Sequence, residues 1–284
     1  MYPAEFTYHA PESLDEALNL MAEHGDEAKL LAGGHSLLPT MKLRLATPAH
    51  LIDMKKLSDL QKIETDGDTL QIGALCTYHA IMDSEAVKAH APLLVQCLHE
   101  VGDQQVRNRG TLGGSLAHAD PAGDPPAPIL ALGAELVVRG AEGERTVPAH
   151  EFFHGFFETA VGEGEILTFI RIPKQRGKSA YEKFRHPASH YAVCGVAVLL
   201  ETDGDTVSSC RVAITGVGGA AYRARAVEEA LEGQTLSEDV IKAASERACD
   251  DLDMALEDPF ADAEYREALA KAYAKRALMI AWKA

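Results

Sequence analysis

The chain has 284 residues, of which 46% are hydrophobic and 25% are charged, a balance typical of globular proteins. Its formal net charge of −16 argues against a nucleic-acid partner and against an anionic membrane surface, because both attract basic faces. No apolar run approaches the roughly 20 residues of a membrane span, and the first residues lack the charged-then-apolar order of a secretion signal. Five cysteines without C-x-x-C spacing are typical of reduced thiols, so the sequence predicts a cytoplasmic protein.

The first clear pattern covers residues 12–24, where apolar residues recur at helical spacing. Ser13, followed three residues later by Glu16, is a capping-box signature that predicts the start of a helix. Next, KLLAGG (residues 29–34) predicts a short buried strand that ends in a glycine turn, and HLIDM (residues 50–54) predicts a second strand. This order of elements is compatible with a small parallel sheet.

The pattern changes at about residue 59. Alternating runs around Asp66-Gly67 predict a hairpin, and residues 91–102 predict a helix. Residues 109–128 are rich in glycine and proline and are interpreted as too irregular for a regular element. A second hairpin (residues 134–148) and a further strand (residues 165–173) follow.

The basic, glycine-containing break KQRGK, residues 174–178, marks a predicted domain boundary near residue 175. The first domain then covers residues 1–175, with subdomains at about 1–57 and 58–175, and the second covers residues 176–284. The second domain begins with three strand-like runs, which a turn at Asp203-Gly204 makes antiparallel, and after residue 223 the pattern is helical. Strand pairs and helices segregate along the chain, so the predicted fold class is α+β.

Two glycine motifs of similar form stand out. The first glycine loop consists of Ala32, Gly33, Gly34, His35 and Ser36, and the second consists of Thr111, Leu112, Gly113, Gly114 and Ser115. Glycine lets the backbone approach a ligand closely, and consecutive amides can bind an anion as a nest. Neither loop carries the lysine of a nucleoside-triphosphate site. A Gly-Gly pair is often only a turn, and spacing alone therefore indicates no more than a candidate dinucleotide site.

Two other patterns suggest different sites. Gly216, Gly218 and Ala221 formally match the Rossmann fingerprint, but the following residues are helical and lack the second strand that this fold requires. A non-catalytic NAD-sensing or interaction protein built on this turn is one functional hypothesis. His150 and His154 have a spacing that suits a metal, yet they follow a proline and no third ligand is evident. The sequence therefore predicts no metal site.

Four segments together resemble the FAD-binding medium subunit of the xanthine dehydrogenase and carbon monoxide dehydrogenase family, the molybdenum hydroxylases. They are AGGHSLLPTMKLR, RNRGTLGGSLAHADPAGDPPAP, EILTFIRIP and YEKFRHPASHYAV, and the likeness extends over nearly the whole chain. It implies a PCMH-type FAD-binding domain of two α+β subdomains. A C-terminal domain with a three-stranded antiparallel sheet and a helical bundle is expected to follow.

The resemblance also assigns roles to residues. It implies that the two glycine loops hold the FAD pyrophosphate and that Asp124 contacts hydroxyls of the ribitol or ribose. Leu167 is expected to line the adenine side, Lys183 to lie near the pyrimidine edge of the flavin, and Tyr191 to lie against the isoalloxazine. His190, before Tyr191, stands where many relatives have an acid.

The function implied is electron transfer within a complex. Substrate oxidation is expected on a large molybdopterin-binding subunit, with 2Fe-2S clusters on a small subunit, as a dimer of heterotrimers. The FAD here would then pass electrons to NAD, a quinone or oxygen, in the cytoplasm or at the inner face of the membrane. The alternative is a free-standing flavin-dependent oxidase of the same cofactor-binding fold, in which His35 is the candidate for covalent attachment of the flavin.

Overall fold

The N-terminal part of the chain forms a three-stranded parallel sheet. The structure is a computed structural model that describes residues 1–284. The strands are β1 (Thr7–His9), β2 (Ala28–Leu31) and β3 (His50–Asp53), and they lie in the order β1-β3-β2 with both pairings parallel. The predicted parallel pair β2 and β3 is confirmed. Strand β1, which no sequence pattern indicated, completes the sheet.

Helix α1 (Leu14–His24) packs against this sheet. The predicted cap is present, because the Ser13 hydroxyl accepts a hydrogen bond of 3.2 Å from the amide of Glu16. The Glu16 carboxylate in turn accepts a hydrogen bond of 2.7 Å from the amide that precedes the cap. Ala17 on the helix and Ile52 on β3 are fully buried in a small core between the two elements. A short helix, α2 (Leu37–Lys42), follows β2.

The middle of the chain is built on a five-stranded sheet. Its strands are β4 (Ile63–Asp66), β5 (Thr69–Gly73), β6 (Glu135–Gly140), β7 (Gly143–Pro148) and β10 (Ile166–Pro173), and a separate pair is formed by β8 (Phe153–Gly155) and β9 (Glu158–Thr159). The order is β4-β5-β10-β6-β7, and every pairing is antiparallel. Both predicted hairpins are therefore confirmed.

Six helices separate the first hairpin from the second. They are α3 (Tyr78–Asp83), α4 (Glu85–His90), α5 (Pro92–Glu100), α6 (Gln104–Arg107), α7 (Leu112–His118) and α8 (Pro126–Leu132). The expectation that residues 109–128 lack regular structure is wrong, because this segment contains α7 and the start of α8. Position 113 in α7 requires glycine, because a Cβ atom there would lie only 2.4 Å from the Cβ of Ala74. All seven residues of α8 are buried, so tertiary packing outweighs the low helix propensity of proline.

The C-terminal part contains a second antiparallel sheet and three helices. The elements are β11 (Lys178–Arg185), β12 (Ala192–Asp203), β13 (Thr206–Thr215), β14 (Tyr222–Arg223), α9 (Arg225–Leu231), α10 (Glu238–Ser245) and α11 (Ala263–Lys283). The sheet order is β11-β12-β13-β14. The expected three strands are present, and the two-residue β14 adds a fourth. Helix α11 has 21 residues, but no helix of the chain is both long and apolar enough to cross a bilayer.

The Rossmann-like motif is a turn between β13 and β14. Gly216 has a φ of +85°, and the next strand returns antiparallel, with Ala213 opposite Arg223. A Rossmann site needs a parallel strand after the glycine-rich turn and a helix. The structure therefore assigns this motif to a sheet corner.

Both faces of the C-terminal sheet are buried. Along β12, Ala197 and Leu199 belong to the core that contains α5 and α8, whereas Val196 and Val198 belong to the core formed with α9, α10 and α11. Side chains alternate between the faces of a strand, so one strand contributes to two cores. This packing joins the C-terminal sheet to the middle of the chain, next to the second glycine loop.

Candidate cofactor site

The first glycine loop connects β2 to α2 and presents backbone amides that have no partner within the protein. The amides of Gly33, Gly34, His35 and Ser36 donate no hydrogen bond to any backbone or side-chain acceptor of the chain. Gly34 has a φ of +79°, a conformation that glycine adopts without strain. Consecutive free amides in such a turn are suited to binding a phosphate group.

The second glycine loop uses its amides differently. Leu112 donates to the carbonyl of Cys76 (3.0 Å), Gly113 to that of Ala74 (2.9 Å), and Gly114 to the hydroxyl of Thr111 (3.2 Å). These bonds attach the start of α7 to the segment after β5. The second loop thus differs from the first, because three of its amides anchor the start of a helix.

The two loops lie against each other. A Cβ atom on Gly33 would come within 2.2 Å of the carbonyl oxygen of Arg109, and one on Gly114 would lie 3.5 Å from the Cβ of Ala32. His35 strengthens the contact, since its Nε2 lies 3.1 Å from the carbonyl oxygen of Gln105. The two loops are about 80 positions apart in the sequence, yet together they form one continuous surface. Gly33 permits their backbones to approach closely.

Asp124 and Lys183 form a buried ion pair. Lys183 Nζ donates to Asp124 Oδ2 (2.7 Å) and to the carbonyl of Glu100 (3.0 Å), and its side chain has no exposed surface. Tyr181 donates from its hydroxyl to the other carboxylate oxygen, Oδ1, at 2.6 Å. Burial raises the pKa of Asp124 above its ordinary value, while Lys183 and Tyr181 act in the opposite direction. Lys183 thus presents no free positive charge at a surface.

Tyr191 lies at the mouth of the same region. The residue is 45% exposed, and it follows a turn in which His190 has a φ of +62°. Burial and the carboxylates of Asp120 and Asp124 raise the pKa of the Tyr191 phenol, and the hydroxyl of Ser36 opposes them. The tyrosine is therefore close to Ser36 of the first glycine loop and to the carboxylates of Asp120 and Asp124. A cavity of about 280 Å³ adjoins it.

The other predicted residues lie at different distances from this centre. Leu167 is only 5% exposed and precedes a β-bulge in β10, so it packs in the core. His150 and His154 each contact Glu151, through its carboxylate and its carbonyl respectively, and they form no cluster with a third ligand.

Sequence reasoning missed two tyrosines of the site. Tyr181 bonds to Asp124, and Tyr78 lies under the second glycine loop. A Cβ on Gly110 would come within 2.8 Å of the ring of Tyr78. Burial raises the pKa of the Tyr78 phenol strongly, with the Ser115 hydroxyl opposing it. Both tyrosines lie in apolar patterns that indicate only core positions, so no local signal could have identified them.

The arrangement fits a dinucleotide cofactor such as FAD. Four free amides and the nearby hydroxyls of Ser36 and Ser115 suit a diphosphate, and no cation is needed for that contact. The half-exposed ring of Tyr191 offers a flat apolar surface for an aromatic ring system. The Asp124 carboxylate retains lone pairs that can accept hydrogen bonds from sugar hydroxyls.

Comparisons with known proteins agree with this geometry. The family model for the FAD binding domain in molybdopterin dehydrogenase matches residues 4–175, and the model for the CO dehydrogenase flavoprotein C-terminal domain matches residues 179–281. The carbon monoxide dehydrogenase medium chain of Hydrogenophaga pseudoflava is 42% identical over 284 residues, which is 99% of each chain. The glyceraldehyde dehydrogenase medium chain of Sulfolobus acidocaldarius is 39% identical over 85% of this chain and 86% of its own.

A solved structure is equally similar. It is a carbon monoxide dehydrogenase from Hydrogenophaga pseudoflava that lacks the molybdenum–pyranopterin part of its cofactor. It matches with a TM-score of 0.96 at 43% identity, over 100% of this chain and 99% of that chain. The similarity therefore covers every element described above.

Proposed function

We propose a specific role for this chain from the premise that it belongs to the FAD-binding medium subunits of the molybdopterin-dependent dehydrogenases. It is an oxidoreductase subunit that carries FAD, and the molybdopterin and the iron–sulfur clusters reside on partner subunits. When bound, FAD supplies the redox chemistry, because it takes up electrons and releases them to an acceptor. The protein then contributes the binding, the orientation and the electrostatic environment of the cofactor.

The observation that carries this proposal is the set of free amides in the first glycine loop. We assign the pyrophosphate to the amides of residues 33–36, with the second loop closing the site from the other side. The second loop contributes the hydroxyl of Ser115 rather than free amides, because its own amides anchor α7. Leu167 is proposed to line the adenine side through the backbone next to its bulge.

The buried ion pair is assigned to the sugar-like part of the cofactor. Each oxygen of Asp124 already accepts one hydrogen bond, from Tyr181 and from Lys183, and each can accept another from a ribitol or ribose hydroxyl. Lys183 is proposed to act through Asp124, as a positioning residue, rather than by direct contact with the flavin. Tyr191 is proposed to cover one face of the isoalloxazine ring.

The proposed domain division is placed at the break of residues 174–178, and the core that contains α5 and α8 crosses it through Ala197 and Leu199. Residues 1–175 form the FAD-binding domain, with subdomains at about 1–57 and 58–175, and residues 176–284 form the C-terminal domain. Lys183 and Tyr191 lie in the second domain, whereas both glycine loops lie in the first. The site is therefore proposed to lie where the two domains meet.

We further propose that the chain works between a small 2Fe-2S subunit and an external acceptor such as NAD, a quinone or oxygen. A dimer of heterotrimers is the proposed assembly, located in the cytoplasm or at the inner face of the membrane. Medium chains of a carbon monoxide dehydrogenase and of a glyceraldehyde dehydrogenase are almost equally similar to this one, at 42% and 39% identity. The substrate is therefore decided by the partner subunit and not by this chain.

The free-standing oxidase is not supported, because the full-length relatives are medium chains of dehydrogenases. Anaerobic titration with candidate substrates tests this choice, with flavin bleaching near 450 nm as the measurement. We expect bleaching only in the complex with the large and small subunits. Bleaching of the purified single chain, or flavin that resists release by acid, would contradict the proposal.

A further inference from the structure

Three histidines that are far apart in the sequence meet at one end of the N-terminal sheet. His9 ends β1, His24 ends α1, and His50 begins β3. All three are half-buried, and each can place one ring nitrogen so that the three nitrogens lie within 4.8 Å of one another. This histidine cluster is separate from His150 and His154, the only pair that the sequence suggested.

Two nitrogens of the cluster have nearly the spacing of zinc ligands, and the third ring must rotate to join them. His9 Nε2 lies 2.9 Å from His50 Nδ1, a hydrogen-bond distance. The rings of His24 and His50 stack, with centroids 3.6 Å apart and planes inclined by 11°. In a tetrahedral zinc site with Zn–N bonds of ~2.0–2.1 Å, ligand nitrogens lie about 3.3 Å apart. An ion can therefore replace this hydrogen bond with little movement of His9 and His50, and His24 turns its ring out of the stack to complete the set.

The backbone holds the three ligands in place. Strands β1 and β3 are parallel neighbours, and His9 is paired with Ile52, two residues after His50. Because side chains two residues apart on a strand share a face, His9 and His50 project from the same face of the sheet. Helix α1 packs on the sheet core that includes Ile52, and its last residue brings His24 to the other two.

The cluster lies away from the cofactor loops. His50 is paired with Ala28 at the start of β2, whereas the first glycine loop begins after Leu31 at its end. Three residues of extended strand separate the two positions, or about 10 Å along β2. An ion at the histidines would therefore not contact the pyrophosphate loop, and its binding can be measured with FAD in place.

We propose that His9, His24 and His50 bind one zinc ion that ties β1, α1 and β3 together. Neutral imidazoles are the preferred nitrogen ligands of zinc, and three of them with one open position make a common zinc coordination set. The partial exposure of the cluster allows water to take the fourth position. The ion cross-links the ends of three elements, so its role is to stabilise the N-terminal sheet.

The test uses the full chain with FAD bound and without a histidine tag, because a tag would itself bind the metal. Isothermal titration with ZnCl₂ is expected to show one ion per chain, and zinc is expected to raise the melting temperature. His9→Gln, His24→Gln and His50→Gln keep a polar side chain of similar length, and each is expected to weaken zinc binding at least tenfold.

Two exposed histidines serve as matched controls. His79 lies beside Asp83 and His150 beside Glu151, at 3.3 and 3.4 Å, so His79→Gln and His150→Gln report adventitious binding at a histidine–carboxylate pair. These variants are expected to bind zinc like the parent chain.

Cu²⁺ provides a second measurement, because its electron paramagnetic resonance spectrum resolves splitting from coordinated nitrogens. The spectrum is expected to show three coordinated imidazole nitrogens in the parent chain and two in each cluster variant. The proposal would be overturned if the parent chain bound no zinc. It would also be overturned if a chain with all three cluster substitutions bound zinc as well as the parent chain does. Flavin absorbance near 450 nm shows in each case that the variant is folded.

Discussion

Lys183 donates to Asp124 across 2.7 Å from a side chain that has no exposed surface. The pair joins strand β11 of the C-terminal sheet to the segment between α7 and α8, and the carbonyl of Glu100 at the end of α5 completes it. An ion pair that is buried in this way favours one relative placement of the two domains, because a shift would leave either charge without a partner.

We predict that Lys183→Met destabilises the protein by about 3–5 kcal/mol, the usual consequence of leaving one member of a buried pair uncompensated. The double variant Lys183→Met, Asp124→Asn removes both charges and is expected to recover part of that loss. Urea unfolding midpoints of the parent and the variants measure the effect.

The control for that experiment is the exposed pair of Lys88 and Glu85, which are joined at 2.7 Å on α4. Lys88→Met is expected to leave the midpoint almost unchanged, since solvent screens such pairs. Equal losses for the buried and the exposed lysine would show that the Lys183 pair has no special role.

We predict that Gly33→Ala lowers the FAD content of the purified chain strongly. The new Cβ would lie 2.2 Å from the carbonyl oxygen of Arg109, so the two glycine loops must separate, and the amides that we assign to the pyrophosphate must move. Flavin absorbance per protein chain is the measurement, and at least a tenfold weakening of FAD binding is expected.

Gly177→Ala is the matched control for the glycine variant. Its Cβ would also strike a backbone oxygen, that of Leu200 at 2.4 Å, but at the far end of β11. This variant is expected to lose stability yet keep its FAD. If both variants lose FAD to the same extent, general misfolding is the cause and the loop assignment fails.

We predict that Tyr191→Ala changes the reactivity of the flavin more than its affinity. Stacking of one aromatic ring is worth only ~0.5–1.5 kcal/mol beyond burial, whereas the amides of the first loop provide several contacts. Rates of reoxidation by oxygen and by quinones are expected to change severalfold, with FAD binding weakened by less than about tenfold, since that loss corresponds to 1.4 kcal/mol.

Tyr191→Phe keeps the ring and is expected to behave like the parent chain. Tyr265→Ala removes a tyrosine of similar exposure, 43%, from α11 and provides the remote control. Loss of FAD without any change in the reoxidation rate would contradict the placement of Tyr191 on the flavin.

We predict that the contribution of the Asp53 carboxylate to the stability of the protein depends on pH. Burial tends to raise the pKa of this carboxyl, but hydrogen bonds from Tyr8 and Lys55 prevail and lower it. A carboxyl with a lowered pKa in the folded state stabilises the protein above its unfolded pKa, near ~3.9. This contribution is lost as the pH falls through the folded value.

Asp53→Asn is therefore expected to cost about 1 kcal/mol at pH 7, and the difference should shrink as the pH falls below the unfolded pKa and through the lower folded value. Unfolding midpoints across this range measure it. Asp59→Asn, which removes an exposed partner of Lys62, is expected to show no comparable trend. A difference at Asp53 that is constant with pH would argue against the lowered pKa.

Local chemistry was sufficient for several elements. The hairpin at Asp66-Gly67 and the helix that starts after Ser13 were predicted correctly, because a turn and a cap depend on residues within a few positions. The family resemblance likewise identified the fold and the cofactor, since the motifs around both glycine loops are contiguous in the sequence.

Tertiary structure decided what depends on distant partners. Helices α7 and α8 form despite their glycines and prolines, because Gly113 packs on Ala74 and α8 is buried on all sides. Four consecutive free amides occur in the first loop and not in the second, since the amides of Leu112 and Gly113 donate to Cys76 and Ala74.

Dependence on distant partners also explains why no sequence motif indicated the Asp124–Lys183 pair or the histidine cluster. Asp124 meets Lys183 across 59 positions, and His9 meets His50 across 41. Composition and spacing describe what a residue can do, but only the fold brings two such residues within bonding distance. Sequence thus determined the local turns and caps, the family and the cofactor of this protein, while packing decided which glycine- and proline-rich segments become helices and which polar groups remain free to bind.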